Sequence, residues 1–345
     1  MGATNSPISR VVHFVDESGG AWPWQRQLQS SQSCWDNSKY YFDMESHPDA
    51  DWLVVFSAWP QVDFLTTIPH ERRIFVAGEP ESFHIYQPKF LNQFGTVLST
   101  QRQCKHPNTI RSQVGINWFA GVRFQAGAQR FKSILAFEDF ERPAPTKTKL
   151  CSVVCSDQAV TKGHRERLAF VNHLKRAFGD QIDYFGRGSR PMPDKDEALA
   201  DYQFHIALEN SRHPDYWTEK LADPFLRGCY PIYSGCTNVF DYFPKQSLTR
   251  IDIAKPEEAI AIIQKTLHQP LTPDVLDAMA VAKVRILYEY NIFAVLEKMF
   301  TAGLLPQSPG LHSNAPERIY SGHEIKNQKF SRRLKRSLKA LFSWR

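Results

Sequence analysis

Short apolar runs separated by polar, glycine- and proline-bearing stretches recur along this chain, and they sort into two halves. In the first half, residues 11–15, 52–56, 73–77 and 96–98 are too short for helices and rich in branched and aromatic side chains, so they read as strands between amphipathic or loop segments. The second half alternates more cleanly. Residues 150–155 read as a strand, 163–178 as a helix, and 182–185 and 202–208 as strands. A helix opens at Thr218 and stops at Gly228; strands at 230–233 and 248–253 and an apolar-striped helix at 256–267 follow. Strands alternating with helices predict parallel α/β layers in both halves. Residues 141–149, ERPAPTKTK, place two prolines and solvating charges between the halves. The predicted division is 1–145, 146–310 and a tail, 311–345.

Composition adds limits. At 345 residues the chain exceeds what one hydrophobic core usually serves, and 42% hydrophobic with 23% charged residues is the make-up of a folded protein. Cys34, Cys104, Cys151, Cys155, Cys229 and Cys236 show no CxxC spacing and read as reduced, largely buried thiols; Cys151 and Cys155 share the apolar run LCSVVC, which suits a core strand better than a metal pair. No apolar run approaches the roughly 18 residues that span a bilayer, and no secretory-type apolar region opens the sequence.

The densest chemistry lies in residues 202–220, YQFHIALENSRHPDYWTEK. A strand that turns apolar as it enters a core emerges at Glu209 and Asn210, and Pro214 stops it from continuing. Thr218 is placed to cap the next helix, with Glu219 complementing its positive end. An anion there meets free backbone N–H groups together with the Lys220 ammonium. The plainer alternative is a βαβ unit whose polar residues only cap a helix and face solvent.

Ala207-Leu208-Glu209-Asn210-Ser211, Asp215-Tyr216 and Thr218-Glu219-Lys220-Leu221, followed in register by Tyr230-Pro231-Ile232-Tyr233-Ser234-Gly235 and Asp241-Tyr242-Phe243-Pro244, resemble the signature of glycosyltransferase family 10, the α1,3/4-fucosyltransferases. The resemblance implies a GT-B-like fold, two Rossmann-like domains facing a cleft. The second would hold GDP-L-fucose and the first the acceptor. It implies an inverting, single-displacement transfer of fucose to a glycan hydroxyl, with α1,3 linkage to GlcNAc or to a related bacterial surface glycan such as lipopolysaccharide. It also implies roles. Lys220 and Arg167 would stabilise the departing diphosphate, with Arg165 competing for the arginine's place; Asn210 and Tyr216 would contact the nucleotide sugar. Glu219 would bind the ribose or orient Lys220. Phe185-Gly186-Arg187 resembles the family's turn after the second donor-domain strand, where Gly186 permits close backbone approach. No Asp-x-Asp motif follows a donor-half strand, so no metal or other cofactor is expected. A transferase for another GDP-sugar, or a catalytically silent glycan- or GDP-sugar-binding protein, is the alternative.

The base is expected in the first half. Gly78-Glu79-Pro80-Glu81-Ser82 puts two carboxylates after a strand, and aligning on the serine with the family's Glu-Ser setting favours Glu81. Phe83 stands where the family usually has proline, which leaves Glu79 open. In the tail, residues 326–345 carry eight basic side chains and no acid, more than the whole net charge of +6. Phe330, Leu334, Leu338, Leu341, Phe342 and Trp344 recur at helical spacing beside them, the pattern of a basic amphipathic helix on an anionic membrane surface, with nucleic acid as the less suited partner. Family members of animals and plants carry an N-terminal anchor, so the expectation is a bacterial-type enzyme, cytoplasmic and peripheral on the inner face of the cytoplasmic membrane.

Overall fold

The structure is a computed structural model that describes residues 8–29, 33–45, 47–57, 64–125, 131–157, 159–305 and 315–325. The basic tail at 326–345, for which an amphipathic helix is expected, lies outside the described residues.

Two compact units share the chain. One comprises Met1–Trp22, Gln32–Ser112 and Met299–Arg345, the other Pro23–Ser31 and Gln113–Lys298. The division falls at Ser112, upstream of the proline-bearing 141–149 stretch. Chain composition marks a solvated connector there, but packing decides the boundary. Part of the stretch expected as a tail, 311–345, also belongs to the first unit: Glu317–Ile319 pairs antiparallel with Phe64–Thr66, Ile319 and Ile325 enter that unit's core, and the Arg73 guanidinium bonds Glu317 at 2.8 Å.

The first unit is built on a seven-stranded sheet, in the order Cys34–Trp35, Ser38–Tyr41, Arg10–Asp16, Trp52–Phe56, Arg73–Ala77, Thr96–Ser99 and Thr109–Arg111. All neighbours are parallel except the first pair. Leu53, Val54 and Val55 are consecutive and all fully buried, so both faces of this strand are covered, the condition a parallel sheet needs.

The second unit carries a fully parallel five-stranded sheet in the order Ile182–Phe185, Lys149–Val154, Tyr202–Leu208, Tyr230–Ser234, Thr249–Arg250. The expected strand at 248–253 shortens to Thr249–Arg250. The helix Pro273–Tyr288 and the first seven residues of the helix Ile292–Thr301 extend the unit beyond the last expected helix. Chain order reverses at Lys149–Val154, whose neighbours are the next strand on one side and the one after it on the other. In open parallel sheets ligands bind outside the carboxyl ends of the strands at such a reversal.

Candidate functional site

A cavity of about 610 Å³ opens at that reversal, and every residue that lines it belongs to the second unit. Val154 and Ser156 line it at and just past the end of one strand, Gly186 to Gly188 past the next, and His205 to Leu208 along the third. Phe119, Phe124, Pro191 and Met192 add apolar wall, while Arg167, Arg187, Lys195 and Lys220 bring four cations against one carboxylate, Glu219. A concave, largely apolar site with convergent positive charge suits a ligand that joins a flat or apolar body to an anion.

Arg167 reaches the cavity from the Lys162–Phe178 helix. Thr161 caps that helix by accepting the His164 N–H at 3.2 Å, and Gly163 lets its first turn lie against Asn210: a Cβ there would stand 1.9 Å from the Asn210 carbonyl oxygen. Arg167 is 4% exposed, donates one Nη to the Ser156 hydroxyl at 3.4 Å, and holds its Nε buried with no partner among the described residues. A buried N–H left unpaired is costly unless a ligand meets it. Arg165, two residues earlier, is exposed and donates back to the Ala159 and Val160 carbonyls at 3.2 and 3.3 Å. The cavity takes in Arg167, and Arg165 is not among its lining residues.

Lys220 and Glu219 open the Glu219–Leu226 helix, whose cap is Thr218. Glu209, buried at the end of its strand, accepts the Thr218 N–H at 2.8 Å and the Thr218 hydroxyl at 2.8 and 3.0 Å. It therefore holds the cap, and Thr218 Oγ1 in turn accepts the Lys220 N–H at 3.3 Å. Lys220 Nζ bonds Glu219 at 2.8 Å and stands 3.9 Å from Glu209. Burial pushes the Glu209 carboxyl above its usual range, more than Lys220 pulls it down. Burial would also raise Glu219, but Lys220 and then Lys195 outweigh it and hold the group at about 2. The Lys220 ammonium, despite burial, is kept protonated above its usual value by Glu219 and Glu209.

Gly186 has φ +115°, and a Cβ would lie 2.2 Å from the Cys155 carbonyl oxygen, so the turn after Ile182–Phe185 admits only glycine without displacement. Asn210 and Tyr216 are not among the lining residues. Asn210 is half-buried, with its Oδ1 enclosed and unpartnered among the described residues, and Tyr216 is buried with its ring 4.9 Å from that of His213. Their loop is clamped through Asp215, at φ +66°, which exchanges two 2.8 Å hydrogen bonds with Asn238.

Glu81 and Glu79 lie in the first unit, in the turn after Arg73–Ala77. Glu81 is half-buried and accepts the Gln103 N–H at 3.2 Å. The Glu79 carbonyl accepts from Gln101 Nε2 at 2.8 Å, and the same amide nitrogen bonds the His84 carbonyl at 2.8 Å, so buried Gln101 pins the turn. Elsewhere in this unit His13, Asp43 and His47 bring ligand-type atoms within 4.8 Å of one another. Their groups are already bonded to each other, His13 to the Asp43 carbonyl and His47 to its carboxylate, both at 2.8 Å, which accounts for the cluster as a loop clip.

Sequence patterning missed two cavity residues. Lys195 sits in a short 3-10 turn with no motif around it, yet it is buried and bonds Asp223 at 2.8 Å and the Glu219 carbonyl at 3.0 Å. His205 looked like one more strand residue. The Ser152 hydroxyl donates to the Ala198 carbonyl, which can only accept, so it must accept from His205 Nδ1–H at 2.8 Å, leaving Nε2 as a bare acceptor. Burial pushes this imidazole down to about 3, so it stays neutral. The faint signal for both was a polar side chain within an apolar setting.

Fold and cavity together define a parallel α/β domain whose sheet reversal carries a cavity lined by four cations and one carboxylate. Residues 144–269 match the family model of glycosyltransferase family 10 (fucosyltransferase), C-terminal part, a segment of just over a third of the chain. A human 4-galactosyl-N-acetylglucosaminide 3-alpha-L-fucosyltransferase FUT6 is 49% identical over 99 residues, 27% of this chain and 26% of that protein. A GDP-fucose protein O-fucosyltransferase 3 of Danio rerio is 23% identical over 252 residues, 68% of this chain and 51% of that protein. The matches thus span about half of those relatives' length or less. A crystal structure of an alpha1,3-fucosyltransferase with GDP-fucose aligns over 91% of this chain and 95% of its own at 15% identity, with a TM-score of 0.48. Among the described residues no helix is long and apolar enough to cross a membrane.

Proposed function

We propose that the chain is an inverting fucosyltransferase that moves L-fucose from GDP-L-fucose to an acceptor hydroxyl. The observation that carries this reading is the unpartnered Arg167 Nε on the wall of a cavity that Lys220 and the first turn of the Glu219 helix also line. In the reaction the acceptor oxygen attacks the anomeric carbon, its proton passes to a carboxylate, and the bond to the diphosphate breaks with the electron pair leaving on GDP. Arg167, Lys220 and helix N–H groups meet the charge that grows on the diphosphate. They supply it without a divalent ion, so transfer should proceed in the presence of a chelator.

Glu81 is the proposed base, with Glu79 as its competitor. Phe83 and Ile85, 54% and 57% exposed beside them, offer apolar surface to the face of an acceptor sugar. Acceptor class divides two readings. The human relative named for a sugar acceptor favours a glycan hydroxyl with α1,3 linkage. The Danio rerio relative, named for a protein acceptor and matching over more of the chain, favours a serine or threonine hydroxyl. Residues 326–345 are proposed to hold the enzyme on an anionic membrane surface. Incubating the protein with GDP-fucose alone, with lipopolysaccharide or N-acetyllactosamine fragments, and with folded protein acceptors tests the reading. Acceptor-dependent release of GDP supports transfer; GDP-fucose left intact with every acceptor overturns it.

A further inference from the structure

Lys195 is a buried cation on the cavity wall that the proposed reaction does not use. Its ammonium donates to the carboxylate of Asp223 at 2.8 Å and to the carbonyl of Glu219 at 3.0 Å, and Asp223 is itself fully buried. The geometry is unusual for a structural ion pair. Asp223 lies in the second turn of the Glu219 helix, and the Glu219 carbonyl belongs to that helix's first residue, so one side chain from the 195–198 turn grips the helix at two points beside the cavity. Asp223 also accepts the Phe119 N–H at 3.2 and 3.3 Å, which ties an apolar wall of the same cavity to the same grip. Removing two charges from water is expensive, and a hydrophobic pair of similar volume would stabilise the fold at least as well. A buried pair placed here is better accounted for by what it positions.

We propose that Lys195 is a positioning residue of the donor site: through Asp223 and the Glu219 carbonyl it sets the start of the Glu219 helix so that Glu219 and Lys220 face the diphosphate. This rests on the donor-site reading above and adds to it a residue that the family resemblance does not bring. Two carriers transmit the effect. One is geometry, because a helix start shifted by about 1 Å misaims Lys220 and can cost about a hundredfold in rate. The other is charge. Glu219 is faced by Lys220 from its own helix, by Lys195 from the 195–198 turn, by the Thr218 cap, and by the acids Glu209 and Asp223. The two lysines and a hydrogen bond from Thr218 favour its ionised form, and loss of Lys195 moves its titration upward.

The test compares the full-length protein with Lys195→Met, which keeps the length of the stem without its charge, and with Lys195→Met/Asp223→Asn, which leaves no lone buried carboxylate and keeps the comparison meaningful if the single variant folds poorly. Thermal melting, GDP titration calorimetry across pH, and turnover at saturating GDP-fucose are measured. The double variant is expected to melt close to wild type and to lose roughly tenfold or more in turnover, and Lys195→Met alone to show an acid limb of GDP binding raised by on the order of one pH unit. A double variant that folds and turns over normally overturns the positioning role while leaving the donor site standing. Wild-type protein that does not bind GDP at any pH overturns both.

Discussion

The two regions to which chemistry is assigned are built in opposite ways. Between Glu209 and Asp223 the polar groups are buried and bonded to one another. Glu209 holds Thr218, Thr218 caps the helix, Lys220 pairs with Glu219, and Lys195 pairs with Asp223. Between Gly78 and Phe83 the carboxylates sit on a half-exposed turn, and what fixes the turn is the Gln101 amide acting on backbone carbonyls. The difference fits the division of labour. A leaving diphosphate needs charges that do not reorganise as the bond breaks, whereas a base needs only to reach one proton of an acceptor that arrives from solvent.

Breaking the buried region should give the largest effects. Lys220→Ala and Arg167→Ala should each lower turnover by about 10²–10³-fold, as loss of one preorganised donor does, while Arg165→Ala stays near wild type because its guanidinium bonds only its own loop. Steady-state kinetics with GDP-fucose decide this, and wild-type turnover in Lys220→Ala removes that residue from the mechanism. In the exposed turn, Glu81→Gln should cost about 10²-fold in transfer while leaving GDP affinity unchanged, with Glu79→Gln milder. The reverse order would move the base by two residues. Gly186→Ala tests the backbone that shapes the cavity: a side chain at φ +115° against the Cys155 carbonyl should destabilise by about 1–3 kcal/mol, read from denaturant midpoints.

Much of the buried region is legible in the sequence, because a cap, an acid and an amine crowded after an apolar strand can satisfy one another only by folding together. Glu209, Thr218, Glu219 and Lys220 are contiguous or nearly so, and local chemistry suffices to join them. The strands at 52–56, 73–77, 182–185 and 202–208 are legible for a similar reason: their apolar runs fit a sheet covered on both faces. Lys195 and His205 were not, since Lys195 finds Asp223 from 28 residues away and His205 finds Ser152 from 53. No pattern within a window records such pairings. The unit boundary escaped too. Prolines and charges announced a connector at 141–149, but the return of Glu317–Ile319 to the first unit, as the partner of Phe64–Thr66 in a separate two-stranded sheet, is a long-range pairing of three residues.

The smallest effect concerns pH. Glu219 titrates at about 2 when folded against 4.5 as its ordinary value, so its ionised form stabilises the native state. That contribution is complete above about 4.5 and is lost as pH falls toward 2. Melting of wild type and Glu219→Gln should therefore differ most above pH 4.5 and converge on acidification; a gap that widens toward acid would contradict the assigned pairing with Lys220 and Lys195.

The central claim is that the cavity at the reversal of the second sheet holds a nucleoside diphosphate, with Arg167 as the buried donor waiting for it. Calorimetric titration of GDP into wild type and Arg167→Ala tests this most directly. The account predicts one GDP per chain in the wild type and a dissociation constant raised about 10- to 100-fold in the variant, the worth of one charged hydrogen bond. Equal affinity in the two proteins, or no binding by the wild type, would contradict it.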